Sequence, residues 1–219
     1  MTRTGFEILF ENTDLIAVNK PEGLAAIPEQ NPQEPSLFER LCVERGETLL
    51  IVHRIDKDTS GVILFARNAE AHRRLNMEFE THRVRKAYLA LVHGVIEDDW
   101  GHIDKPLARF GSGRVGVNAQ HGKPSLTEYQ VVRRLPAHTL LEAYPHTGRR
   151  HQIRVHLYSI GHAIVGDRLY GDRAIQRAYP RMMLHARHLT VRLPSEETIT
   201  VEAPVPQSFH DVVDAVAEG

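Results

Sequence analysis

The sequence predicts an α+β protein, a mixed or antiparallel sheet with flanking helices, in a chain of 219 residues whose length suits one domain or two small ones. Two observations carry this reading. Short apolar runs of strand character outnumber the helical stretches, and several follow one another directly, which favours antiparallel or mixed pairing over alternating βαβ units. The chain is 42% hydrophobic and 25% charged, the balance of an ordinary globular protein able to bury a core. Collagen-like, disordered and disulfide-scaffold architectures are thereby excluded.

Taken in order, Phe6–Phe10 and Leu15–Val18 are apolar runs closed by polar or turn residues, and both read as strands. The turn-rich NKPEGLAAIP (19–28) leads into SLFERLCVERG, a short helix with Ser36 as N-cap and Gly46 as its stop. Leu49–Val52 and Val62–Phe65 read as strands on either side of a polar nonapeptide, HRIDKDTSG (53–61). Asn68 can cap the next helix, whose Ala71, Leu75 and Phe79 fall on one face at i, i+4 and i+8. Lys86–Val92 is apolar on both faces, as a central strand would be. Glu97–Pro124, rich in Gly, Asp and Lys, reads as an insertion making a long surface excursion. Thr127–Val132 and Leu140–Tyr144 read as a strand pair, and Arg149–Ile160 as a helix. The last helix begins near Pro206 and carries Phe209, Val212, Val213 and Val216 as one apolar stripe.

The formal net charge is −1, which by itself argues against a polyanionic partner. Its distribution argues otherwise. Residues 1–50 carry net −5 and residues 193–219 net −6, whereas 133–192 hold 11 Arg against three acids, net +8. Arginine suits bidentate phosphate contact and stacking on bases, so this segment is either a polyanion-binding surface or a solvated face neutralised by the acidic ends. No stretch approaches the ~20 apolar residues of a membrane span, and the opening MTRTGFEILFEN lacks the apolar run of a secretory signal. Cys42 is the only cysteine. An internal disulfide and a thiolate metal cluster are both excluded, and a reducing cytoplasm is the simplest location.

Four stretches invite chemistry. GSGRVG (111–116) has the spacing of a dinucleotide fingerprint, but VNAQHGKP follows it where the phosphate-binding helix should stand, so it reads as a loop or hairpin. His146, His151 and His156 recur every five residues, a step that converges on neither a helix face nor a strand face, and no metal site is expected. In the nonapeptide, an extended backbone would project Arg54, Asp56 and Asp58 to one side, where the charges would tune one another's proton affinity. The same Asp, Thr, Ser and Gly residues equally suit a turn, and the pattern does not say which Asp reacts. HTGRRHQIRVHL (146–157) reads as a turn into a helix, with clustered arginines beside an anion-attracting N-terminus. Its target is a ligand phosphate or a carboxylate of the protein itself, with Arg154 orienting Asp56 or Asp58.

Together these stretches resemble the RluA family of pseudouridine synthases, in its short stand-alone form without an S4 domain. NKPEGL (19–24) with Pro28, HRIDKDTSGVILFA (53–66), RKAYLALVHG (85–94), TGRRHQIRVHL (147–157), GDRLYG (166–171) and LHARHL (184–189) stand in the family's order across nearly the whole chain. Ile55 occupies a position where leucine is common.

The resemblance implies isomerisation of uridine to pseudouridine in ribosomal RNA, transfer RNA or both, without cofactor or metal, by residues 1–219 as a single catalytic domain, on a mixed, mostly antiparallel sheet with flanking helices and a central RNA-binding cleft. By motif position Asp56 is the essential aspartate, acting on C1′ as a nucleophile or on the C2′ proton as a base. Tyr88 matches the active-site tyrosine that stacks on the uracil. Arg154 matches the arginine paired with the catalytic carboxylate. Arg54 matches the arginine that fills the place of the flipped base, and Arg149, Arg150, His151 and Gln152 would line the RNA surface. The expected partner is a structured RNA stem-loop, in the cytoplasm, with no membrane and no obligatory protein partner. A non-catalytic RNA-binding or folding factor on the same scaffold is the alternative. A glycoside hydrolase using Asp56 and Asp58 fits poorly, because aromatic residues that would make sugar platforms are only 6% of the chain.

Overall fold

A computed structural model describes residues 6–30 and 33–218. In chain order the first elements are β1 (Glu7–Glu11), β2 (Leu15–Lys20), α1 (Leu37–Arg45), β3 (Leu50–Ile51), β4 (Ser60–Ala66) and α2 (Ala69–Glu80). The middle comprises β5 (Arg85–His93), β6 (Trp100–Asp104), β7 (Leu107–Arg109), β8 (Val115–Val117), β9 (Leu126–Arg134) and β10 (His138–Pro145). Then come α3 (Gln152–Ser159), α4 (Arg173–Gln176), β11 (Leu184–Arg192), β12 (Thr198–Glu202) and α5 (Gln207–Ala217). The strands are mostly antiparallel, and the α+β expectation holds. No helix among the described residues is long and apolar enough to cross a membrane.

The chain divides into two compact units. The first comprises Met1–Lys86 and His185–Pro204. In it β2 pairs antiparallel with both β1 and β4, β3 also lies on β4, and β12 is antiparallel to β11. One parallel junction, Ser60 opposite His185 and Gly61 opposite Ala186, joins β4 to β11. Leu15, Ala17, Leu64, Leu75, Leu189 and Val201 belong to its core. The helix ends follow their predicted caps. Ser36 and Glu39 form a reciprocal capping box, Gly46 closes α1 in the left-handed region at φ 64°, and Asn68 accepts the Ala71 N–H at 2.8 Å.

The second unit comprises Ala87–Leu184 and Val205–Gly219. There β10 lies between β5 and β9, and β6 pairs with the far side of β9. Phe209, Val212 and Val213 of α5 join Leu91, Leu141, Leu157 and Ile164 in its core, as the apolar stripe predicts. Residues Glu97–Pro124 are not a loose excursion. They supply β6 to the sheet and a β7–β8 hairpin, and Leu107 and Val115 of that hairpin pack with Val155 and Tyr170. Helix α3 begins at Gln152 and not at Arg149, because His151 sits at φ 55°, outside the helical region.

Candidate active site

In the first unit, the nonapeptide His53–Gly61 leaves β3 and enters β4 through a tight turn. The Asp56 carbonyl accepts the Thr59 N–H at 3.1 Å, which puts Lys57 and Asp58 at the corner. Asp58 therefore leaves the row that an extended chain would have made. Arg54 and Asp58 are exposed and Ile55 and Thr59 buried, so the half-buried Asp56 stands at the boundary between core and solvent. Lys20, fully buried, holds this turn from the NKPEGL stretch. Its ammonium donates to the carbonyls of Pro21 at 2.7 Å, Leu24 at 2.8 Å and Lys57 at 2.8 Å. Carbonyl dipoles thereby replace the water that a buried ammonium loses.

Both ends of the nonapeptide are tied down as well. His53 Nε2 accepts the Leu64 N–H at 3.0 Å, and its ring stacks on Phe79 with centroids 4.6 Å apart. Burial, helped by the Lys86 ammonium, pushes the His53 pKa down to about 3, so the imidazole is neutral and keeps its proton on Nδ1. Burial also lowers Lys86 itself, to about 8. At the other end the Ser60 hydroxyl and His185 Nδ1 lie 2.9 Å apart, while His185 Nε2 meets the Ala203 carbonyl at 3.3 Å. With the His185 proton on Nε2, the serine hydroxyl is the donor.

The second unit carries the remaining expected residues. Tyr88, half-buried on β5, lies opposite Ala143 of β10. The turn before α3 presents Arg149, half-buried, and Arg150, exposed. Gln152 is buried at 4% exposure and organises that turn. Its Oε1 accepts from the Thr147 hydroxyl at 2.6 Å and the Arg149 N–H at 3.0 Å, and its Nε2 donates to the Leu126 carbonyl and the Thr127 hydroxyl. Arg154 is buried in α3 and grips Asp167 with two parallel bonds, Nε to Oδ2 at 2.7 Å and Nη2 to Oδ1 at 2.8 Å. Asp167 also accepts the Leu169 and Tyr170 N–H groups, so the Gly166–Gly171 loop is folded around this carboxylate.

The three periodic histidines go separate ways. His146 pairs with Glu128, His151 meets the Tyr170 hydroxyl, and His156 is buried between Thr127 and the Lys105 carbonyl, its pKa lowered mainly by burial. GSGRVG is the tip of the β7–β8 hairpin, closed by the Phe110 N–H to the Arg114 carbonyl at 2.8 Å, and no helix follows it. No sequence pattern points to a role for Lys20, Asp167 or Tyr170. Each lies inside a quoted motif, but its partners are backbone carbonyls or distant side chains, which spacing does not reveal.

A family described as RNA pseudouridylate synthase matches residues 14–159. An uncharacterized RNA pseudouridine synthase of Zymomonas mobilis is 36% identical over 211 residues, covering 94% of this chain and 96% of its own. The dual-specificity RNA pseudouridine synthase RluA of Vibrio vulnificus is 39% identical over 197 residues, 86% of this chain and 78% of its own. Among solved structures, human RNA pseudouridylate synthase domain containing 1 superposes with a TM-score of 0.80 at 28% identity, over 97% of this chain and 94% of that one.

Proposed function

The chain belongs to the RNA pseudouridylate synthase family and is an RNA pseudouridine synthase, and from that premise we propose that it acts on ribosomal RNA, transfer RNA or both, with Asp56 as the essential aspartate. The reaction is an isomerisation. The bond from N1 to C1′ breaks, the uracil turns, C5 bonds to C1′ and loses its proton, and N1 gains one. Asp56 starts it either by attacking C1′ or by taking the C2′ proton. One observation carries the assignment: Asp56 is the half-buried member of a turn whose backbone Lys20 pins, which leaves its carboxylate accessible on a fixed main chain.

The other roles follow the family pattern. Tyr88 stacks on the uracil, and Arg154, which Asp167 holds in one orientation, keeps the reacting carboxylate ionised. Base chemistry in a folded stem-loop requires the nucleotide to leave its stack. Arg54, exposed at the start of the nonapeptide, fills the vacated place, and Arg149, Arg150 and His151 meet the RNA. Gln152, being buried, serves that surface by holding the turn. The two units together make one catalytic domain, a reading supported by a family match that runs through parts of both. It works in the cytoplasm, without a cofactor, a metal or an obligatory protein partner.

The test is tritium release from ribosomal and transfer RNA transcripts labelled at uracil C5. Wild type is expected to release the label, and Asp56→Ala to fall to background. Release by neither protein from any cellular RNA, or equal release by both, overturns the proposal. Complementation of a deletion phenotype by Asp56→Ala as well as by wild type would favour the non-catalytic RNA-folding role instead.

A further inference from the structure

Tyr170 of the GDRLYG loop and the β7–β8 hairpin have no part in the roles above, yet this one side chain joins the hairpin to Arg154. Tyr170 is 1% exposed. Its phenol oxygen accepts the Val115 N–H at 3.3 Å, donates to the Val115 carbonyl at 3.1 Å and meets His151 Nδ1 at 3.0 Å. A hydroxyl has one proton, so with that proton on Val115 the histidine contact is completed by the imidazole N–H. The phenol is thus bound on one side to β8 and on the other to the turn that opens α3. Burial raises its pKa, which keeps the donor in place.

The ring of the same tyrosine carries arginine. The Arg154 Cζ lies 5.2 Å from its centroid and the Arg114 Cζ, from the hairpin, 4.8 Å. The backbone N–H of Tyr170 donates at 3.1 Å to Asp167 Oδ1, the oxygen that also accepts Arg154 Nη2. Asp167 fixes one edge of the Arg154 guanidinium and Tyr170 one face. Edge and face together determine the plane of the group and the direction of its other N–H donors. Leu107 and Val115 of the hairpin seat on Tyr170 and Val155, so the tyrosine's position depends on the hairpin being docked.

We propose that Tyr170 is a positioning residue that couples the β7–β8 hairpin to Arg154, so that the guanidinium keeps its reactive setting only while the hairpin is seated. The inference rests on the role given to Arg154 under the proposed function, and the Asp56→Ala control separates the two. Tritium release that Asp56→Ala abolishes establishes the reaction. Against that background, Tyr170→Phe keeps the ring and removes the phenol contacts. It is expected to lose about 10-fold in single-turnover rate at saturating RNA, where a change in affinity through His151 drops out, and to show faster amide exchange in residues 115–117. Leu107→Ala unseats the hairpin from the other side with Tyr170 intact, and serves if Tyr170→Phe folds poorly. The same rate loss is expected, with the double variant no slower than either single one. A Tyr170→Phe rate within two-fold of wild type, a rate loss with residues 115–117 as protected as in wild type, or additive effects in the double variant would each overturn the coupling.

Discussion

Three backbone carbonyls, those of Pro21, Leu24 and Lys57, converge on the ammonium of Lys20, which is fully buried. Removing the donor leaves the carbonyl of buried Leu24 without a partner and breaks the charge-assisted bonds to Pro21 and Lys57, at about 1–3 kcal/mol each. Lys20→Met, similar in length, is therefore expected to lose about 3 kcal/mol or more in urea unfolding, and to lose activity under conditions where it remains folded, because the turn carrying Asp56 is no longer held. Lys20 and Asp56 stand 36 positions apart in sequence, and no periodicity links them. The motif NKPEGL was visible as a turn-rich stretch, but its lysine finds its purpose only where a second loop arrives. Asp167 is the same case. An acid flanked by glycine and arginine in GDRLYG looks like a surface turn, and burial against Arg154 makes it the group that orients a guanidinium.

Elements with a local signal were legible. Helices α1 and α2 are fixed by their caps and α5 by its apolar stripe, and β9 with β10 by alternation. Strand β11 carries no strand signal, because LHARHLTVR contains two histidines and two arginines. It is nonetheless largely buried, and His185 is tolerated there because Ser60 and the Ala203 carbonyl satisfy its ring. The parallel junction between β4 and β11 has a steric condition. Gly61 is at φ +109°, and a Cβ there would lie 2.1 Å from the Ala186 carbonyl oxygen. Gly61→Ala must move backbone as well as strain its own, so a loss of about 3 kcal/mol or more is expected in thermal or urea unfolding. Gly111, with nothing within 4 Å of its would-be Cβ and no positive φ, should accept alanine within about 0.5 kcal/mol.

For the whole molecule, imidazoles held neutral by burial lower stability in acid. His53 in the first unit, and His138 and His156 in the second, all have pKa values lowered chiefly by burial. Between its ordinary value near 6.5 and about 3, His53 stays unprotonated in the folded chain while the unfolded chain binds the proton. Stability therefore rises with pH through that window and is lost on acidification, by roughly 1.4 kcal/mol per pH unit from His53 alone. Urea unfolding between pH 7 and pH 4 should show this slope. His53→Gln, whose amide oxygen can still accept the Leu64 N–H, should flatten it. By itself the sequence determined the α+β class, the capped helices, the ordered motifs and the arginine-rich segment, because these depend on residues close together in the chain. Tertiary structure decided which groups are pinned: the Lys20 clasp on the Asp56 turn, the grip of Asp167 on Arg154, and the docking of residues 107–117 against Tyr170. Such contacts join residues far apart in sequence, and their energies come from burial and from hydrogen bonds that exist only once the chain has closed on itself.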